Sequence, residues 1–306
     1  MGDQWKGSEM RWLLRRFARS ARVLLDRERV GRGLTVWPDD IFLVSYPKSG
    51  NTWLRFLIAN LVYPQDPATF ANLESKVPSI YVNHDRKLRR LPRPRILKSP
   101  ESFVARYERV IYVLRDPRDV CVSYYHYLVK YRELPQGYPM KQFVPRFIAD
   151  EFEHYGAWGD HVLSWLAMRG GGSNFLLLRY EDLLDDPELE LAKIAHFLKI
   201  DATYPKLVRA VQLSSADRMR RLEKLQSHKW ISTKRSRQDM PFVRSATAGE
   251  WKSALSEDLA FEIEKAWGPI MHALGYEVHA SHMARPNISD LLRSDIFRSG
   301  SYPIRP

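Results

Sequence analysis

Four short apolar runs interrupt an otherwise amphipathic chain, at Ile41–Ser45 and at positions 95–98, 110–114 and 174–179. Runs of that length without polar alternation are the pattern of strands buried on both faces, and amphipathic helical stretches lie between them. Alternating strand and helix predicts an α/β fold with a central parallel sheet flanked by helices. The punctuation agrees with it. Ser49-Gly50-Asn51-Thr52 opens a helix after the first strand, Asp116-Pro117 opens another after the third, and Gly170-Gly171-Gly172 marks a tight loop before the fourth. Positions 64–95 and 226–248 are irregular and basic, and loops that long in a compact domain usually carry function.

Ahead of the strands, Leu13, Leu14, Phe17, Ala18, Ala21, Leu24 and Leu25 recur at helical spacing beside Arg11, Arg15, Arg16, Arg19 and Arg22. This basic amphipathic helix suits docking on its own domain, peripheral contact with an anionic membrane surface, or a targeting role. Arginines interrupt every apolar stretch in it, which excludes a secretory signal. The expected organisation is a basic N-terminal segment at 1–36, one domain at 37–280, and a peripheral tail at 281–306 rich in Pro, Ser and Arg.

Composition narrows the classes. A chain of 306 residues that is 44% hydrophobic and 12% aromatic can build a large core, so global disorder is excluded. Its 48 Lys and Arg against 36 Asp and Glu leave +12, which calls for an anionic partner or substrate. No nucleic-acid-binding motif accompanies that charge, so nucleic acid is not the expected partner. One cysteine, Cys121, excludes an internal disulfide and a Cys-rich zinc site, and no apolar run approaches the roughly 18 residues of a membrane span. These features predict a reduced, soluble, cytoplasmic protein.

The sharpest chemical signal follows the first strand, in Tyr46-Pro47-Lys48-Ser49-Gly50-Asn51-Thr52-Trp53. A strand, a tight turn with a lysine and a helix start make an anion cradle: amides at the helix N-terminus point at the ligand, Gly50 lets the backbone approach, and Lys48 adds a full charge. It is not the nucleotide-triphosphate loop, because Lys48 precedes the glycine and no earlier glycine exists in the turn. A second cradle follows the third strand at Arg115-Asp116-Pro117-Arg118-Asp119, with Ser123 in the first turns of the helix and Arg115 suited to a bidentate phosphate contact. Two cradles predict a ligand with two phosphate groups.

These stretches resemble the cytosolic-type sulfotransferases. Tyr46 to Trp53 is similar to their 5′-phosphosulfate loop, and Arg115 to Asp119 with Ser123-Tyr124-Tyr125-His126 is similar to their 3′-phosphate site. Arg179-Tyr180-Glu181-Asp182-Leu183, and Phe242-Val243-Arg244 followed by Gly249-Glu250-Trp251-Lys252, match two further motifs in the same order, so the resemblance spans residues 38 to 276. It implies a P-loop nucleotide-kinase-like fold and transfer of a sulfuryl group from 3′-phosphoadenosine 5′-phosphosulfate to a hydroxyl or amine, with no metal. Lys48 and the amides of Ser49, Gly50, Asn51 and Thr52 would hold the 5′-phosphate. Arg115, Ser123 and Arg244 would hold the 3′-phosphate, and Trp53 and Tyr180 the adenine. Ser214, Ser245 and Ala246 fall at further nucleotide-site positions, and Lys98 joins Lys48 as a catalytic lysine.

Three departures stand out. Where the family has Lys-Thr-His, with the histidine as general base, the chain reads Lys98-Ser99-Pro100-Glu101. Lys98-Ser99-Pro100 is closer to the Lys-Thr-Pro of glycosaminoglycan-type sulfotransferases, whose base is a carboxylate further upstream. Glu101, His84 and Asp85 are the candidate bases. Ser214-Ser215-Ala216 lacks the ring of Thr-Ser-Phe, and Arg244-Ser245-Ala246 lacks one cation of Arg-Lys-Gly. The alternative to an active enzyme is a nucleotide-binding sulfotransferase-like protein with lost or reduced catalysis. The Lys and Arg of positions 64–95 and 226–248 favour an anionic acceptor, and the partly met dimerisation motif at Lys252 leaves oligomeric state open.

Overall fold

The structure, a computed structural model, describes residues 33–152 and 155–279. The expected N-terminal helix and the tail beyond residue 280 lie outside the described residues.

Four strands pair in parallel: β1 (Ile41–Ser45), β2 (Ile96–Ser99), β3 (Arg109–Leu114) and β4 (Phe175–Arg179), in the order β2-β1-β3-β4. The register sets Val44 opposite Ser99 and Tyr112. Each strand lies within one or two residues of its apolar run. β2 starts at Ile96, one residue into its apolar run, and the Arg95 side chain before it forms a buried ion pair with Asp40.

Residues of each strand alternate between two cores. Phe42, Val44, Val110 and Tyr112 face one, formed with α4 (Pro117–Lys130), α5 (Met140–Ile148), α6 (Trp158–Arg169) and α12 (Glu257–Ala273). Ile41, Leu43, Ile111 and Val113 face the other, with α1 (Asn51–Val62), α7 (Tyr180–Asp185), α8 (Pro187–Leu198) and α9 (Tyr204–Gln212). Both faces are therefore covered, as the unbroken apolar runs require. The remaining helices are α2 (Leu73–Lys76), α3 (Asp85–Leu88), α10 (Ala216–Gln226) and α11 (Trp251–Ala254). The two long irregular segments hold only α2, α3, the end of α10, and turns.

The chain leaves β1 through α1 toward one face and leaves β3 through α4 toward the other. The two helices diverge, opening a crevice beyond the carboxyl ends of β1 and β3. In open α/β sheets such a switch point is where ligands bind. The entry to α4 is fixed locally: Pro117 takes the first helical position and the Asp116 carboxylate accepts the Arg118 amide at 2.9 Å.

The Arg118 side chain continues that lock inward. Its guanidinium pairs with Asp116 at 2.7 Å and with Glu264 of α12 at 2.6 Å, and lies 3.8 Å from the Trp251 ring centroid. All three charged side chains are buried. Removing the shared cation would leave buried Asp116 and Glu264 without their common counter-charge, Glu264 keeping only its His279 contacts at 2.8 and 3.0 Å, so Arg118→Met is expected to cost about 3–5 kcal/mol, read as a drop in the denaturation midpoint. A loss under about 1 kcal/mol, the scale of an exposed pair, would show that the triad does not hold α4 to α12.

Candidate active site

At the switch point the β1–α1 turn is built around two residues with left-handed backbone, Lys48 at φ 73° and Gly50 at φ 93°. The Ser49 amide closes the turn on the Tyr46 carbonyl at 3.3 Å, and Asn51 Nδ2 donates to Ser45 Oγ at 3.2 Å, joining strand end to helix start. The amides of Asn51, Thr52 and Trp53 open α1 and so have no intrahelical carbonyl to meet. Ser49, whose amide was expected to join them in holding an anion, spends it within the turn.

Gly50 is required twice. Its φ is one that side chains disfavour, and an added Cβ would sit 2.4 Å from Cδ2 of Tyr180. Tyr180, the first residue of α7 after β4, thus presses its ring onto the turn. The Trp53 ring meets it edge-on with centroids 5.7 Å apart, and the Arg115 guanidinium lies 4.3 Å from its centroid.

A cavity of about 720 Å³ opens here. Lys48, Lys98, Arg115 and Arg244 reach it from four separate segments, with Ser123 of α4 beside them. Among the described residues no Asp, Glu or His lines it. Burial, and then repulsion from Arg244, Arg115, Lys98 and Lys130, lowers the Lys48 pKa to about 7. Lys48 keeps some accessible surface within the cavity, so an entering anion can reach it. Burial likewise lowers the Arg244 pKa despite the pairing of its two terminal nitrogens with Glu250 at 3.0 and 2.6 Å.

Carboxylates surround the cavity from outside. Asp119 accepts the amides of Gly249 and Trp251 at 2.8 and 3.0 Å, and burial raises its pKa. Glu223 accepts the amides of Phe242 and Val243, and Arg220 donates to the carbonyls of Arg244 and Ser245. These contacts hold the segment that carries Arg244, Ser245 and Ala246, all three of which line the cavity.

Other residues singled out in the sequence go elsewhere. Ser214 is fully buried, accepting from Asn60 at 2.9 Å and donating to the Ala210 carbonyl at 2.8 Å; its neighbours Ser215 and Ala216 line the cavity instead. His84 is an exposed residue at the start of α3. Asp85 accepts the amide and hydroxyl of Thr35 at 2.8 and 2.9 Å, a structural clasp. Glu101 sits behind the wall, accepting from Tyr81 at 2.8 Å and from Tyr107 at 2.5 Å. None of the three candidate bases lines the cavity. Of the cations of 64–95 and 226–248, only Arg244 does, which removes the ground for an anionic acceptor.

Sequence reading missed Arg55, Tyr81, Tyr127, Tyr131 and Tyr155, all in the cavity wall. One signal was available: Ser123, Tyr127 and Tyr131 recur every four residues and so share one face of α4. His161 was also missed. It is buried behind Pro100, where it contacts Tyr112 Oη through Nδ1 at 2.8 Å and the Pro100 carbonyl through Nε2 at 3.1 Å, and burial lowers its pKa to about 4.

The family model described as the sulfotransferase domain matches residues 38–275. The chain belongs to the sulfotransferase family. It is 31% identical to mouse sulfotransferase 1B1 over 71% of this chain and 77% of that one. It is 28% identical to guinea-pig 3-beta-hydroxysteroid sulfotransferase over 75% and 82% of the two chains. Among solved structures, retinol dehydratase in complex with androsterone and the inactive cofactor PAP superposes with a TM-score of 0.66, covering 82% of this chain and 85% of that one at 19% identity. The chain is thus an enzyme of the sulfotransferase class with the family's parallel-sheet fold.

The contact of Gly50 with Tyr180 can be tested by coupling. Gly50→Ala is expected to cost at least about 1–2 kcal/mol from its left-handed backbone alone, plus the displacement of the ring. Measured in a Tyr180→Ala background, the same substitution should cost less, because only the backbone penalty remains. Equal penalties in both backgrounds, by denaturant titration, would show that the ring does not press on the turn.

Proposed function

We propose that the cavity binds 3′-phosphoadenosine 5′-phosphosulfate across the β1/β3 switch point and presents its sulfuryl group to a hydroxyl on an apolar or aromatic skeleton. The observation that carries this reading is four cations converging from separate segments on a wall that, among the described residues, holds no carboxylate. Unspent hydrogen-bonding capacity supports the fit: Nε of the cavity-lining Arg115 is buried without a protein partner.

Lys48 and the first amides of α1 take the 5′-phosphate. Arg115, Ser123 and Arg244 take the 3′-phosphate, with Arg244 leaving or sharing its Glu250 partner. Trp53 and Tyr180 take the adenine. As the bond between sulfur and the bridging oxygen breaks, negative charge gathers on that oxygen, and a protonated Lys48 beside it stabilises the transition state. The cations supply the positive charge that the developing oxyanion calls for.

The same cavity is walled by Tyr81, Val82, Tyr127, Tyr131 and Tyr155, with Lys48 Nζ 4.6 Å from the Tyr127 ring centroid. Rings of this kind favour an apolar acceptor with one polar handle. The relative named for 3-beta-hydroxysteroids and the androsterone-bound structure support a hydroxysteroid. Pro100, at the position of the family's histidine, supports the second reading, a protein that binds nucleotide without turnover. Labelled-sulfate transfer to hydroxysteroids and phenols separates the two.

Two further outcomes are expected. The desulfated nucleotide, 3′-phosphoadenosine 5′-phosphate, should raise the melting temperature, and Lys48→Ala or Arg115→Ala should each weaken the shift; no shift over a wide concentration range would overturn the nucleotide assignment. Binding should also take up protons above about pH 7, because Lys48 starts with a pKa lowered to about 7 and a phosphate beside it raises that value. Calorimetry in buffers of different ionisation enthalpy reads the uptake, which should vanish in Lys48→Ala; proton release would contradict the assignment.

A further inference from the structure

The cavity wall poses a chemical problem. An acceptor hydroxyl is a poor nucleophile until its proton leaves, yet among the described residues no carboxylate or imidazole lines the cavity. Tyr81 does line it, and its hydroxyl donates to Glu101 Oε1 at 2.8 Å. A phenol that donates to a carboxylate still has oxygen lone pairs with which to accept from a hydroxyl on its other side.

The pair is rigidly placed. The backbone of 78–80 adds to the edge of β2: the Lys98 amide donates to the Pro78 carbonyl at 2.8 Å, and the Ile80 amide to the Lys98 carbonyl at 3.1 Å. Tyr81 follows directly, while Glu101 follows the far end of the same strand. Glu101 is held by the Tyr107 hydroxyl on Oε2 and by its own carbonyl, which accepts from Trp165 Nε1 at 2.9 Å. It is half-buried, so its outer side can exchange protons with solvent. Tyr131, also in the wall, donates to the Ser232 carbonyl, a group that cannot accept a proton near neutrality.

We propose that Tyr81 relays the acceptor's proton through the cavity wall to Glu101, replacing the base that the family places where this chain has Pro100. The inference rests on sulfuryl transfer at this site. As the acceptor oxygen bonds to sulfur and the bond from sulfur to the bridging oxygen breaks, the acceptor's proton moves to Tyr81 Oη and the Tyr81 proton moves to Glu101 Oε1. The products are the sulfate ester, the nucleotide bisphosphate and a neutral Glu101, which returns its proton to solvent. Tyr81 carries no net charge at any stage. That agrees with its surroundings, since burial, and then the Glu101 charge, raise the cost of a phenolate there. Tyr81 is the residue that meets the acceptor, and Glu101 acts through it.

The test compares an alcohol acceptor, a hydroxysteroid, with 4-nitrophenol, which is largely ionised at mildly alkaline pH and needs no base. Tyr81→Phe and Glu101→Gln should each lower kcat for the hydroxysteroid by about 100-fold with KM little changed, and for the ionised nitrophenol by less than about 2-fold. The nucleotide-induced melting shift should persist in both variants. Should either variant fail to fold, the wild-type enzyme still decides: single-turnover rates in mixtures of light and heavy water should curve downward for the hydroxysteroid, as two protons in flight require. Equal losses for both acceptors, full activity in both variants, or a linear isotope dependence would overturn the relay while leaving sulfuryl transfer intact. A wild-type protein that binds the nucleotide but sulfates neither acceptor would overturn both.

Discussion

Mutual repulsion among cations that converge on one cavity is the constraint around which this molecule is organised. Lys48, Lys98, Arg115 and Arg244 converge at the carboxyl edge of the sheet. Without an anion the arrangement is electrostatically unfavourable, and burial, with repulsion from Arg244, Arg115, Lys98 and Lys130 added to it, lowers the pKa of Lys48. Such a cluster persists only if the surrounding framework is strong enough to hold it. Its reward is a site complementary to a polyanion before the polyanion arrives.

The acids that oppose these charges have been moved to the outside of the wall, where they bind backbone rather than ligand. Asp119 and Glu223 each accept two amides from the segment carrying Arg244, and Glu250 brackets the Arg244 guanidinium. Asp116 and Glu264 share Arg118 to bind α4 to α12. Two of them also reach cavity cations from behind, Glu250 pairing with Arg244 at 2.6 Å and Asp119 lying 3.6 Å from Arg115, yet none lines the cavity itself.

That division also shapes the chemistry of proton removal. A carboxylate in the wall would repel the incoming nucleotide, whereas a neutral tyrosine in the wall does not. Placing Glu101 one hydrogen bond behind Tyr81 separates the negative charge from the phosphates while keeping it in reach of the acceptor's proton. Pro100, whose carbonyl is held by His161, lines the wall without supplying a titratable group.

The local rules of the chain were enough for the framework and for half of the site. Strands buried on both faces show as unbroken apolar runs, and Lys48, Gly50 and Arg115 sit in strand-turn-helix units whose function depends on neighbours in sequence. The amino-acid order therefore determined the parallel sheet, the strand-turn-helix units at its switch point and the family. It did not determine which side chains of the long segments face inward, because that depends on packing between residues far apart in the chain. Glu101, His84 and Asp85 are equally eligible as bases in the sequence. Only the tertiary structure turns Asp85 to Thr35, leaves His84 in solvent and sets Glu101 against Tyr81, 20 positions away. Ser214 and Ser215 differ by one position, and the turn after α9 sends the first to Asn60 in the core and the second to the cavity. Periodicity and turn chemistry are local and survive in a one-dimensional reading; the inward or outward sense of an irregular loop is settled only when its long-range hydrogen bonds form.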